Sequence, residues 1–213
     1  MSTALLLALL LAAGSAAPAD DTAPGLAESL VARIEKRHAR TTDLVARFEQ
    51  TYRSGLLGRA LVERGVVSIK RPGRMRWEYR EPEKKLFLSD GKAFYFYVPE
   101  DKQVIVQEQD DRRSLAGRLL FGEGGLLDEF EASLEEPLEE GILRVRLTPR
   151  REDAELERAY VDVEPSGVVR SIVIDDIQGN RTRFRFEELK ENTGLKDDLF
   201  HFEVPSGVEV IRG

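Results

Sequence analysis

Residues 65–82, GVVSIKRPGRMRWEYREP, contain the chain's only tryptophan and, from Lys70 to Arg76, four positive charges in seven residues. Basic residues interleaved with aromatics are a familiar footprint of nucleic-acid binding. Counting by twos gives a different answer, because successive side chains of a β-strand point to opposite faces. After a turn at Pro72 and Gly73, Met75, Trp77 and Tyr79 fall on one face, and Arg74, Arg76, Glu78 and Arg80 on the other. The interleaving is that of a half-buried strand, with Arg74 and Arg76 expected in solvent and Trp77 inside. Before the turn, Val67, Ile69 and Arg71 share one phase. Proline at 72 keeps Arg71 extended, so a guanidinium is expected on the face of two aliphatic side chains.

An unpaired buried charge costs several kcal/mol, so an inward Arg71 must meet acceptors. Its planar fork suits backbone carbonyls at a helix end or loop, or a carboxylate. Two readings stay open: a turn arginine that swings into water, or a latch at the mouth of the sheet that holds a short helix over it.

Outward from this stretch the same period recurs. Leu44, Ala46, Phe48 and Tyr52 alternate with Val45, Arg47, Glu49 and Thr51. Further strands are expected at 60–70, 74–80, 85–89, 93–98, 103–108, 130–135, 142–148, 156–163, 168–175, 182–189 and 200–204. Turn signals such as SDGK, PEDK and PSG separate them. Short strands so closely spaced predict a mainly β (α+β) fold, one large curved antiparallel sheet that makes a barrel or part of one. Two segments break the rhythm. Leu26, Leu30, Val31 and Ile34 mark an amphipathic helix with Pro24 in its first turn. Residues 112–130 carry Leu115, Leu119, Leu120 and Phe121 at helical spacing, weakened by glycines at 117, 122, 124 and 125. This second helix either plugs the sheet or moves as a lid.

The strands in LFLSDGKAFYFYVP, residues 86–99, are apolar on both faces: Phe94, Phe96 and Val98 on one, Tyr95 and Tyr97 on the other. Such strands are ordinary where both faces are covered, for instance by a helix. Taken singly, each is a core residue. Taken with a large curved sheet, Phe48, Val67, Ile69, Met75, Trp77, Tyr79, Phe94 and Phe96 become candidates for the wall of an apolar cavity.

Composition narrows the functions. LLLALLLAAGSAA near the start has the layout of a secretory signal peptide, so residues 1–19 are expected to be a cleaved leader and 20–213 a single exported domain. The net charge of -7 argues against a nucleic-acid partner. Without cysteine there is neither a thiol nor a lipid-anchoring site. His38 and His201 are the only histidines, and no G-x-S-x-G, HExxH or phosphate-loop pattern accompanies them, so neither catalysis, a metal nor a cofactor is expected. Carboxylate pairs such as Asp175 and Asp176, or Asp197 and Asp198, read as solvated turns.

The segments DLVARFEQTY, GVVSIKRPGRMRWEYREP, LFLSDGKAFYFYVPEDKQV, LLFG, IDDIQGNRTRFRFEEL and FHFEVPSGVEVI, in this order, resemble the LolA family of periplasmic lipoprotein carriers. The resemblance implies an incomplete β-barrel with helices covering its open mouth and an apolar cavity for acyl chains. The family's arginine before proline, which ties the lid and serves cargo hand-over, falls on Arg71; its cavity residues in the next strand fall on Met75 and Trp77. Met75 stands where phenylalanine is frequent. The implied partners are an acylated lipoprotein as cargo, an inner-membrane Lol ABC transporter as donor and an outer-membrane lipoprotein receptor as acceptor; a monomer suffices for one cargo. A different acylated lipid or glycolipid, and a lipid-sensing periplasmic regulator, are the alternatives.

Overall fold

The computed structural model describes residues 23–56, 58–108, 115–122 and 125–212; the expected leader at 1–19 lies outside them. Helix α1 (Ala23–His38) precedes β1 (Asp43–Arg53), β2 (Ala60–Lys70), β3 (Arg74–Glu81), β4 (Lys85–Asp90), β5 (Ala93–Val98) and β6 (Gln103–Glu108). Helices α2 (Leu115–Phe121) and α3 (Leu126–Glu129) follow. The chain then continues through β7 (Phe130–Glu135), β8 (Leu143–Pro149), β9 (Leu156–Val163), β10 (Val169–Asp176), β11 (Arg181–Glu191) and β12 (Glu209–Arg212). The single helix expected at 112–130 is therefore two short ones, α2 and α3, and α3 begins directly after Gly125 at φ 81°. Residues 112–114 and 123–124 lie outside the described set.

The strands form one sheet in the order β12-β6-β5-β4-β3-β2-β1-β11-β10-β9-β8-β7, and the edge strands β12 and β7 do not pair with each other. The sheet is open. It also curls: three strand spacings of about 4.8 Å put β3 roughly 14 Å from β11 on a flat sheet. Yet the Trp77 and Phe184 ring centroids are 5.2 Å apart. Only side chains converging inside a concave face can meet so closely.

Register fills that face in ranks. Val67 pairs with Trp77, Trp77 with Phe87, Phe87 with Phe96 and Phe96 with Ile105. Directly paired residues share a face, so the rank crosses five strands. A parallel rank begins Leu44, Ile69, Met75. In the next rank Gly65 stands between Phe48 and Tyr79, and its missing side chain lets those rings meet edge to face at 4.9 Å. A Cβ there would lie 2.8 Å from the Phe48 ring and collide with the Glu78 carbonyl.

The helices occupy only part of the concave face. Helix α1 packs on β7 and β8, and α2 on β10. Leu30, Val31 and Ile34 are almost wholly buried, joining Val145, Leu147, Val161 and Ile172 in the core, whereas Leu26 at the start of the helix stays exposed.

The convex face of β3–β5 is covered by the tail, where a helix was one expectation. Asp43, itself buried, accepts hydrogen bonds from the Thr193 amide and hydroxyl, each at 2.7 Å, and from the Gly194 amide at 3.0 Å. A 3-10 turn, Asp197–Phe200, then lies against β3 and β4. Phe202 continues over Tyr95 and Tyr97, with centroids 5.3 and 5.4 Å away. The strand expected at 200–204 is absent, because Phe200 and Phe202 lie flat on the sheet face, with no strand edge beside them. Pairing begins only beyond the turn at Pro205, where β12 runs parallel to β6, so the sheet is not wholly antiparallel. Arg74 and Arg76, expected in solvent, instead fasten this tail: Arg74 pairs with Asp197 at 2.7 Å, and Arg76 donates to the Leu199 carbonyl.

Substituting Gly65→Ala forces the Phe48 and Tyr79 rings and a backbone carbonyl apart. We expect a loss of about 3 kcal/mol in urea unfolding, at the upper end for overpacking a filled core; an unchanged midpoint would refute the close-approach account.

Candidate functional site

The concave face beside α2 is not filled. Met75, Trp77 and Tyr79 from β3, Phe87 from β4, Phe94 and Phe96 from β5 and Ile105 from β6 line a cavity of about 610 Å³, closed opposite by Leu115, Ala116, Ile174 and Phe184. Its wall is braced from the side: Phe48 packs edge to face on Trp77 at 5.0 Å, and Val67, next to Trp77 in the same rank, is fully buried. Phe87 and Phe96 stack at 4.3 Å, and Phe87 remains 40% exposed, an aromatic side chain presented to the opening. At one end the wall turns polar: the Tyr79 hydroxyl donates to Gln50 at 2.6 Å, and buried Glu63 pairs with Lys85. Burial, then the Glu63 carboxylate, push the Tyr79 phenol up, so it stays a neutral donor.

The sequence-derived candidates thus divide. Met75, Trp77, Tyr79, Phe94 and Phe96 line the cavity; Phe48 and Val67, on the same face, are buried in the core beside it, Phe48 packed against Trp77, Tyr79 and Phe184. Ile69 faces a separate narrow space of about 40 Å³, with Arg71, Met75, Phe94 and Phe121. Of the helix residues, Leu119 and Leu120 are buried anchors, Phe121 lies under Arg71, and Leu115 reaches the cavity. Phe87, Ile105, Ile174 and Phe184 were not anticipated. Phe87 was within reach, since pairing across the SDGK hairpin puts it opposite Phe96.

Arg71 faces inward. Its Nη2 donates to the Gly122 carbonyl at 2.8 Å and its Nε to the Thr41 carbonyl at 3.3 Å. Its guanidinium carbon lies 4.7 Å from the Phe121 ring centroid. Carbonyls just past a helix end lack intrahelical partners, and a cation there also meets the negative pole of the helix. One side chain therefore ties the end of α2 to the loop after α1. Gly122 permits this approach, since a Cβ would run into the Arg118 carbonyl. Two further ties hold α2 and α3: Arg118 to Glu129 at 2.5 Å, and the Leu126 amide to Glu35 at 2.9 Å.

The chain's similarity to known proteins agrees with this arrangement. The model of the family described as outer membrane lipoprotein carrier protein LolA matches residues 39–203. The chain belongs to this family. An outer-membrane lipoprotein carrier protein of Pseudomonas aeruginosa (strain UCBPP-PA14) is 31% identical over 210 residues, 98% of this chain and 97% of the relative. Its counterpart in Nitrosospira multiformis is 32% identical over 148 residues, 69% of this chain and 71% of the relative. Among solved structures, an uncharacterized conserved protein from Thermus thermophilus superposes with a TM-score of 0.57 at 16% identity, covering 88% of this chain and 99% of that one. At that identity the likeness speaks for the fold alone, an open sheet with helices on its concave side.

One member of this site titrates within reach of ordinary buffers. His38 is buried, its ring 6.0 Å from Phe121. Burial, then Arg71 and Arg37, lower its pKa from 6.5 to about 4. The folded state thus holds His38 neutral, while the unfolded chain takes up a proton near pH 6.5. The stability this group contributes is full above that pH and is lost as the pH falls from about 6.5 towards 4. Urea unfolding should show about 2 kcal/mol less stability at pH 5 than at pH 7 from this group, a difference that His38→Leu abolishes. An equal pH dependence in that variant would refute the assignment.

Proposed function

We propose that this chain carries lipoproteins across the periplasm with their acyl chains in the aromatic cavity and α2 as the lid over them. Family membership makes it a lipoprotein carrier, and its family works in the periplasm. The observation behind the molecular reading is the 610 Å³ apolar cavity bordered by a short helix that one arginine fastens.

The physical need for such a device is large. A lipoprotein's three acyl chains hold about 40 methylenes, and at ~0.8 kcal/mol each their transfer from water to oil is worth on the order of 30 kcal/mol. No such molecule diffuses free through water. A carrier that bound it as well as a bilayer would never release it, so the grip must be incomplete. An open sheet with a partly exposed aromatic wall supplies that. Arg71 is the latch in this reading: its bonds to Gly122 and Thr41 break when α2 lifts. Residues 1–19 serve as the export leader. An inner-membrane Lol ABC transporter loads the cargo, and an outer-membrane lipoprotein receptor accepts it. The chain's own chemistry is binding and release, with no bond made or broken.

Two experiments test this. Protein purified from the periplasm and analysed by mass spectrometry should carry acylated peptides. Free glycolipid would point to a carrier of another lipid, and absence of lipid at saturating supply to a sensor. In a reconstituted transfer assay, Arg71→Leu, which removes two charge-assisted bonds, should change hand-over by at least about tenfold. Unchanged loading and release would remove Arg71 from the mechanism.

A further inference from the structure

Leu115 and Ile174 line two cavities. One is the aromatic cavity; the other, about 640 Å³, lies on the far side of the first turn of α2, with Phe130, Leu156 and Ile177 completing its apolar surface. We infer that this second groove is an additional acyl-chain subsite, and that Leu115 and Ile174 form the gate between the two. The inference rests on the carrier reading and extends it.

Three observations carry it. The first is capacity. A methylene displaces roughly the volume of one water, about 30 Å³, so about 40 methylenes need on the order of 1,200 Å³. The aromatic cavity, at 610 Å³, is smaller than that, and the adjoining groove is a second space of similar size. The second is continuity. Seven residues of helix span about 10 Å, and α2 is tied at its far end by Arg71 to Gly122, leaving Leu115 at the opposite end, half-buried between the two spaces. The third is the surface itself. Ile177, at the turn after β10, is 58% exposed beside Leu156, an apolar edge without cover among the described residues.

The rim sets the chemistry of the occupant. Asp153, Glu155 and Asp176 stand around the groove, and Arg118 there is already paired with Glu129. Amides of Glu155 and Leu156 hold the Asp153 carboxyl below the usual range, and the Asn180 side chain does the same for Asp176. An acidic rim repels a phosphate headgroup and accepts a chain whose ester or amide linkage is uncharged, as in an acylated cysteine.

The test uses synthetic lipopeptides with two or three palmitoyl chains, each chain carrying a photoreactive diazirine. Cross-linking the three-chain probe to the full mature protein should label peptides containing Leu156 or Ile177 as well as those containing Phe94 or Phe96. The exposed substitution Ile177→Asp should leave thermal stability unchanged. It should weaken the three-chain probe about tenfold, the loss of one aliphatic contact, and the two-chain probe much less. Labels confined to the Phe94 and Phe96 peptides, or equal weakening of both probes, would overturn the second subsite and leave the carrier cavity standing. Labels at neither place would overturn both.

Discussion

Strand register is the constraint on which this molecule depends. A strand's side chains alternate with period two, so a slip of one residue in any of β2–β6 would exchange its inner and outer sets. Here the inner set is Val67, Trp77, Phe87, Phe96 and Ile105, held opposite one another across five strands. The outer set meets the tail, with Tyr95 and Tyr97 against Phe202. Strands β4 and β5 are thus apolar on both faces for two unrelated reasons: one face makes a wall for a cavity, and the other is sealed by the chain's own C-terminal segment. The arginines that look so basic in the sequence belong to the sealing, since Arg74 and Arg76 bind the tail.

A concave aromatic wall in water collapses unless something holds its sides apart or covers it. The sheet keeps it open because α1 fills only the β7 and β8 part of the concavity, while α2 crosses at β10. Helix α2 itself is short: seven residues with a glycine in the middle, of which Ala116, Leu119, Leu120 and Phe121 are buried, and a few polar ties. Arg71 makes the difference. Its inward guanidinium is met there by the Gly122 and Thr41 carbonyls and the Phe121 ring, and it donates to the carbonyl just past the end of α2. His38 enters the same cluster as a neutral side chain, and a proton on it would set a second cation near Arg71.

Much of this was legible from residues alone. Period-two alternation located eleven of the twelve strands and the inward phase of Arg71, because half-burial writes itself into local sequence. What escaped was non-local. Nothing local to Arg74 shows that Asp197 waits for it more than a hundred residues later. Phe200 and Phe202 alternate as a strand would, but alternation cannot distinguish lying beside a sheet from lying on it. For the same reason Phe48 and Val67 share the phase of the cavity residues while sitting in the packed core beside it: phase reports the face, and curvature decides which part of that face is hollow. Phe184 and Ile174 reach the cavity from strands far along the sheet order, a fact of curvature that no single strand carries.

Carrying lipid and releasing it make opposite demands, and the fold meets them by leaving two things incomplete. The sheet is unclosed, so the wall can receive long chains without opening a hydrogen-bonded ladder. The wall is also unsealed, with Phe87 left 40% exposed, so a bound chain is only partly withdrawn from water. Each methylene that stays wet weakens retention by up to ~0.8 kcal/mol relative to a bilayer. A handful of such contacts is enough to make the membrane the better solvent, so release runs downhill while loading requires work from outside. As the latch proposed above, Arg71 need not be strong: charge-assisted bonds at about 1.5–3 kcal/mol each can hold a seven-residue helix, and the outside work that loads the cargo can open them.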